Sequence, residues 1–594
     1  MSLRRVGGLA VTGLAILLWM SCGEVYRPVV IPVSTTPPNS ANFHAVFGVS
    51  TNVNSNPGSA LQIDVSGDSN IGIATLGINP THAAGLPNNT RIFVASAGSV
   101  NGAADIITAF APAVDSTTAS GLGNPVTYSM PNVGPNQTSA ITAISEAGSV
   151  VTVTLQSAIG MATVGGPVLI SGVNIGGYDG NFTITSISGN TIQYVDPIQG
   201  LNATTGGTAL VPLPTFCSYQ PDFVTTTQAT TMFVANYGQE NGPNCSFTST
   251  DSIAALNTAT STVANIAYLP AASHPVAMVE TPNALNLYVA NQGNGTSAST
   301  VTDISPVDLS TITTIPVGIN PAWMATRLNG QRLYVVTQGD GQLSTINTAT
   351  NTVLSTQAVG GPTAGANYVL YDKNLDRLYV PSPGTGSVYV FSATTDPPML
   401  LGGAPLTIPP APKCAAAGTG CGPVTPSAVA ALPDGSRFYV ASYQTQSPCS
   451  DPNVTSATCI IPYVTVFDAP SLTIKQLATS SFAPLVALFT EPPFGTGQYA
   501  VPEVTSCVPL AIYKPGTTRF RMFATAAADS SHVYVSVCDA GAIADISTVT
   551  NTLTQGTNAP DTLMIDLLAP FSAAAPGVNQ EPPPQNPIFL LTGQ

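Results

Sequence analysis

One short pattern recurs along the chain and limits its fold more than any other feature. A strand rich in aromatic and β-branched residues appears as Arg91-Ile-Phe-Val-Ala-Ser96, Met232-Phe-Val-Ala-Asn236, Leu287-Tyr-Val-Ala-Asn291, Arg332-Leu-Tyr-Val-Val336, Arg377-Leu-Tyr-Val380, Arg437-Phe-Tyr-Val-Ala441 and Val533-Tyr-Val-Ser536. Ala45-Val-Phe-Gly-Val49 is a looser first copy. Such runs read as buried strands. A second strand follows most of them, as in Val301-Thr-Asp-Ile304 and Leu343-Ser-Thr-Ile-Asn347, ending on an Asp or Asn that can start a turn. Asn-Thr-Ala-Thr comes next at Asn257 and Asn347, then an alternating strand such as Thr352-Val-Leu-Ser-Thr356. Gly-x-Asn-Pro closes the unit at Gly77 to Pro80 and Gly318 to Pro321, where proline stops the ladder.

The Phe or Tyr anchors at 233, 288, 334, 379 and 439 lie 55, 46, 45 and 60 residues apart. That is the length of one four-stranded sheet in a radial array. Here the sequence resembles the YVTN-type β-propeller repeat family, most closely from Leu285 to Pro362, with Tyr288-Val-Ala-Asn291 nearest to the Tyr-Val-Thr-Asn strand that names it. The resemblance implies an all-β chain with a propeller of seven or eight four-stranded blades over residues 43–572. Eight anchors are countable, at 47, 93, 233, 288, 334, 379, 439 and 534, and a ninth candidate lies at Gln498-Tyr-Ala-Val501. Pairing of Thr562-Leu-Met-Ile-Asp-Leu567 with strands near the N-terminus is expected to close the ring and remove a sheet edge. The resemblance leaves activity open, because propellers host hydrolases, oxidoreductases and plain binding proteins.

Between anchors 93 and 233 the gap is too long for one blade. The excess, residues 141–209, is itself strand-like and is expected to form a small inserted β-module, with Val150-Val-Thr-Val-Thr-Leu155 and Thr191-Ile-Gln-Tyr194 among its strands. Its run Gly176-Gly-Tyr-Asp-Gly-Asn-Phe-Thr resembles a module of phage and bacterial surface proteins. The module reads either as a binder of glycan or protein or as passive decoration. Residues 573–594, with Pro582 to Pro584, read as a loosely attached Pro-rich tail.

Residues 1–21 have the form of a signal peptide, with Arg4 and Arg5 ahead of an apolar run from Val6 to Met20 that is too short to span a bilayer. Ser21-Cys22-Gly23 resembles a bacterial lipobox, which implies lipid attachment at Cys22. The alternative is an ordinary leader in which Cys22 is incidental. Residues 22–42, with Pro28, Pro32, Pro37 and Pro38, read as an extended tether. The other eight cysteines fall in sequence-local pairs, Cys217 with Cys245, Cys414 with Cys421, Cys449 with Cys459 and Cys507 with Cys538. Eight cysteines allow 105 connectivities, so proximity alone supports this pairing. An oxidising compartment is expected. Metal binding, the competing use of cysteine, lacks a CxxC, and the histidines at 44, 82, 274 and 532 are scattered.

Composition narrows function further. Only 7% of the 594 residues are charged and the net charge is −15, against about 25% charged in an ordinary soluble domain. An acidic chain repels phosphate, so no nucleic-acid partner is expected. No nucleophile elbow, HExxH or P-loop occurs. Asp303, Asp340 and Asp372 sit at repeat turns, where a structural role suffices. Asp64, Asp68 and Asp105 lack EF-hand spacing for calcium. Arg91, Arg332, Arg377 and Arg437 share one repeat position and form either a cationic ring in the channel or strand-edge contacts at blade turns.

The sequence therefore points to a lipid-anchored bacterial envelope protein on the periplasmic or extracellular face, membrane-bound through its N-terminal lipid. Its expected role is non-enzymatic binding or scaffolding of protein, glycan or envelope material, with no cofactor and no metal. The alternative is a propeller-face enzyme, a lactonase-like hydrolase or quinoprotein-type oxidoreductase, which should gather acids, Arg or His at one end of the channel. A structural surface-layer component is a third reading.

Overall fold

The structure is a computed structural model that describes residues 45–51, 57–65, 69–98, 105–112, 123–130, 138–159, 162, 164–165, 167–178, 180–196, 200–211, 218–239, 250–415, 418, 420–474, 485–487, 499–548, 552–553 and 586–593. The signal peptide, Cys22, the tether, Asp68, Cys217, Cys245 and the strand proposed at 562–567 lie outside them.

Among the described residues the chain forms eight antiparallel blades around a central axis, so it is a β-propeller. The innermost strands of blades 2 to 8 are Pro80–Gly85, Pro221–Thr225, Pro275–Glu280, Pro321–Thr326, Leu370–Asp372, Thr425–Ala431 and Met522–Ala526. Each packs against the next around the axis. Blade 1 takes its innermost strand from the other end of the chain. Asn586–Thr592 pairs antiparallel with Ala45–Thr51, in register Val46 to Thr592 and Phe47 to Leu591, and packs between the inner strands of blades 2 and 8.

This corrects two expectations. The ring-closing strand is Asn586–Thr592, within the segment read as a loose tail, because Ile588, Phe589 and Leu590 are buried at the axis. The ninth anchor candidate is not a blade. Val501–Pro502 adds to the third strand of blade 7, pairing with Cys459 and Ile460.

All eight anchors, Phe47, Phe93, Phe233, Tyr288, Tyr334, Tyr379, Tyr439 and Tyr534, lie on the second strand of a blade and are buried. Neighbouring blades cover both faces of this strand, so Leu287–Asn291 is buried at every position. A strand covered on both sides reads as a continuous apolar run. The outermost strands are the opposite case, and Thr262–Tyr268 and Thr352–Ala358 are mostly exposed and carry no charged residue. Uncharged polar residues fill these rim positions, which accounts for much of the low charge.

The repeat-position arginines join blade to blade. Arg332 pairs with Asp396 of blade 6 through Nε (2.8 Å). Arg377 donates to the carbonyl of Ala469 in blade 7, and Arg437 to that of Thr548 in blade 8 (2.7 Å). Tyr288 does the same work in blade 4, its hydroxyl donating to Asn351 Oδ1 of blade 5 (2.7 Å). Of the two readings of these arginines, three of the four are seen at turn contacts between blades. Asp303 likewise accepts from Asn286 (2.8 Å) and Asn351 (2.7 Å). Asp340 accepts from the Thr337 hydroxyl within its own turn and from the amide of Ile319 at the end of blade 4, and Asp372 holds its own turn through the amide of Asn374.

Between blades 2 and 3 the chain forms a closed six-stranded barrel, from Thr138–Ala147 to Thr208–Leu210. It has its own core, with Ile144, Val153, Tyr178 and Tyr194 among its members. Among the described residues three disulfides are present, Cys414–Cys421, Cys449–Cys459 and Cys507–Cys538.

Candidate functional site: the channel mouth

The start of each inner strand sets one end of the channel. Asn79, Gln220, His274 and Asn320 each precede the proline that opens an inner strand, and each has a positive φ, between 47° and 54°. Their carbonyls accept from Ala97, Tyr237, Gln292 and Gln338, which follow the second strand of the same blade (2.8–3.0 Å). Two rows of side chains therefore converge at one end of the axis. Gly-x-Asn-Pro revealed Asn79 and Asn320; Gln220 and His274 occupy the same position without the motif. The residue before each strand-opening proline is the signal that finds all four.

Inside, the channel is filled by aromatic rings. His82 stacks on Phe223 at 3.6 Å between centroids, Phe223 meets Trp323 at 5.3 Å, and Trp323 meets Tyr368 at 5.3 Å. Tyr368 meets Phe523 at 5.4 Å, Phe523 meets Phe589 at 4.6 Å, and Phe589 returns to His82 at 4.5 Å. Edge-to-face and offset contacts at these distances are favourable and exclude water. Burial, with Arg519 nearby, holds the His82 imidazole well below its usual range, so it is neutral, and its Nδ1 accepts from the amide of Val224 (3.5 Å).

A segment between blades 7 and 8, residues 503–521, crosses the mouth as a strap. Its near end is fixed by Cys507–Cys538 and by Arg521, which bonds Asp539 (2.8 Å) and Glu503 (3.0 Å). Asn586 donates to the carbonyl of Cys538 (2.8 Å), tying this anchorage to the closing strand. The far end centres on Asp222 of blade 3, which is fully buried. The Tyr513 hydroxyl donates to Asp222 Oδ1 (2.5 Å), and Arg519 Nη2 to Oδ2 (2.6 Å). The guanidinium lies 4.1 Å from the Tyr513 ring centre and 5.7 Å from that of Trp323, and it also donates to the carbonyl of Ala322 (3.2 Å). Burial pushes the Asp222 carboxyl up to about 6, against the opposing pull of Arg519 and Tyr513.

Beneath the strap, Gln292, Gln338, Asn367, Tyr513 and Arg519 line a cavity of ≈ 10 Å³, about the least volume that admits one water. Beside it His274 Nδ1 lies 3.2 Å from Asp251, and the imidazole stacks on Tyr237 at 4.4 Å. This places an acid–imidazole pair at the mouth that the scattered sequence positions did not reveal. Larger grooves occur at the rim, one of ≈ 520 Å³ between the outer strands of blades 2 and 3, along Thr127 to Ser129 and Ser261 to Ile266.

The two described calcium candidates, Asp64 and Asp105, are not gathered. Asp64 ends the third strand of blade 1 and Asp105 precedes that of blade 2, so they lie at opposite ends of parallel-running strands. Asp105 instead accepts from the Ser218 hydroxyl (2.6 Å) and the amide of Tyr219 (2.6 Å), fixing the entry to blade 3, and burial pushes its carboxyl up to about 6. Among the described residues no group of three or more His, Cys, Asp or Glu is placed to hold a metal.

No family model matches the chain, and no curated protein matches it. Solved structures do. The Pseudomonas aeruginosa periplasmic gluconolactonase is 13% identical with a TM-score of 0.39, covering 68% of this chain and 92% of its own. A putative 6-phosphogluconolactonase from Bacteroides fragilis is 12% identical at a TM-score of 0.38, covering 69% and 92%. Hydrazine synthase from Kuenenia stuttgartiensis is 14% identical at 0.35, covering 57% and 80%. The propeller assignment stands on the sheet topology itself, and the activities in those names belong to those proteins.

Proposed function

We propose that this chain is a lipid-anchored, extracytoplasmic propeller that serves as a binding platform for protein, glycan or envelope material. The observation that carries the reading is the state of the channel mouth. Its strongest charges, Asp222 and Arg519, are spent on each other and on Tyr513, and the cavity beneath the strap, at ≈ 10 Å³, is far smaller than a ligand pocket. What the molecule offers is surface, namely the rim grooves, the barrel and the outer face of the strap. Three disulfides accord with an oxidising compartment. The test is fractionation of cells expressing the wild type and Cys22→Ser, followed by crosslinking in intact cells. Membrane retention should depend on Cys22 and crosslinked partners should be recovered; equal retention of the Cys22→Ser protein would contradict the anchor.

One observation favours the alternative, a lactonase-like enzyme at the propeller face. Asp251 can fix the tautomer and orientation of His274, the arrangement a general base requires. A hydrolysis screen against lactones, with His274→Ala as the control, separates this reading from the first.

A further inference from the structure

The strap is held at the mouth as a bound peptide would be held. Three amide side chains from different parts of the ring address its main chain. Asn320 Nδ2 donates to the carbonyl of Ala511 (3.2 Å), and Asn367 Nδ2 donates to that of Arg519 (3.4 Å). Gln292, in the orientation its neighbours favour, pairs with both groups of Tyr513, accepting from its N–H (3.1 Å) and donating to its C=O (3.0 Å). Side-chain amides that pair with a peptide group recognise backbone, whatever the sequence. Specificity comes from Asp222, which receives a phenol on one oxygen and a guanidinium on the other. A turn at Pro515-Gly516, with Gly516 at φ 82° and the Thr517 amide bonded to the Lys514 carbonyl (3.1 Å), brings Arg519 back beside Tyr513.

None of these contacts is needed to close the ring, which Asn586–Thr592 does. The strap's disulfide lies at its near end, at Cys507. The seat also holds an unused acceptor, since Asn367 Oδ1 is buried with no hydrogen-bond partner beside the cavity. We infer that the channel mouth is a recognition site for a polypeptide turn presenting a tyrosine and an arginine side by side, and that the strap is its occupant in cis. A partner polypeptide of that chemistry binds by displacing the strap's far end while the disulfide keeps the near end in place. The inference rests on the binding-platform reading and names one site on it.

A tethered occupant competes at high effective concentration, and a ligand that needs the open state binds more weakly by the fraction of molecules that are open. Weakening the strap must therefore strengthen binding in trans. The probe is a fluorescent synthetic peptide of residues 508–519, titrated by anisotropy against the full chain. Tyr513→Ala with Arg519→Ala should bind it at least tenfold more tightly than the wild type. Adding Asp222→Asn should remove that gain, and a peptide with alanine at both the tyrosine and the arginine should bind neither protein. Tyr513→Phe, which loses one hydroxyl and keeps the ring, provides the same comparison if the double variant does not fold, with a several-fold gain expected. A folded strap variant that binds no better than the wild type, or binding indifferent to Asp222, would overturn the inference. Retention of crosslinked envelope partners in that case would leave the platform standing, whereas loss of both would remove it.

Discussion

At the scale of single residues, the anchors show how much depends on what a hydroxyl finds. Tyr334 is fully buried and its hydroxyl has no partner, whereas the Tyr288 hydroxyl bonds Asn351 of the next blade. Truncating Tyr334 to Ala should cost about 3–5 kcal/mol, the usual range for a large core residue. Tyr334→Phe should be neutral or slightly stabilising, because it removes an unsatisfied polar group, while Tyr288→Phe should cost about 1 kcal/mol; equilibrium denaturation of the three variants checks the order. Two carboxylates at the entry to blade 3, Asp105 and Asp222, are both raised to about 6 by burial, against about 3.9 in an unfolded chain. The folded state therefore binds more protons than the unfolded state between about pH 4 and 6, so their contribution to stability grows as pH falls through that window and is lost as pH rises through 6. The melting temperature should rise on acidification from pH 7 to 5, and Asp105→Asn should flatten the rise.

At the scale of elements, the parts visible in the sequence are those that every blade repeats. The anchor strands were legible because each is sandwiched between neighbours and so carries an unbroken apolar run. The barrel was legible as a gap too long for one blade. The closing strand was not, because Pro582 to Pro584 precede it and suggest a tail. Its signal was present all the same: Asn586-Pro587 followed by Ile-Phe-Leu-Leu repeats the Asn-Pro opening of the inner strands at Asn79 and Asn320. A chain ended at Gln585 should lose cooperative unfolding and aggregate, since the second strand of blade 1 and the flank of blade 8 would be left uncovered. Sedimentation and limited proteolysis measure this, and a monomeric, protease-resistant truncated protein would contradict the closure.

At the scale of the whole molecule, the strap is the feature that no local pattern could disclose. Tyr513 and Asp222 are 291 residues apart, and Arg519 and Asp222 are 297 apart. Only a closed ring brings blade 3 opposite the segment that leads into blade 8. The same closure explains why so few charges serve so large a chain. Ring contacts are made mainly by apolar strands, threonine and amides, and Asp222, Arg521 and Asp539, where the strap is seated and anchored, are among the buried charges. Closure of the mouth depends on that seat. Hydrogen–deuterium exchange of the wild type and of Asp222→Asn tests it most directly, read at the amides of residues 510–519. Those amides should be protected in the wild type and lose at least tenfold of that protection in Asp222→Asn, while the anchor strands exchange as before; strap amides that exchange freely in the wild type would contradict a mouth closed on Asp222.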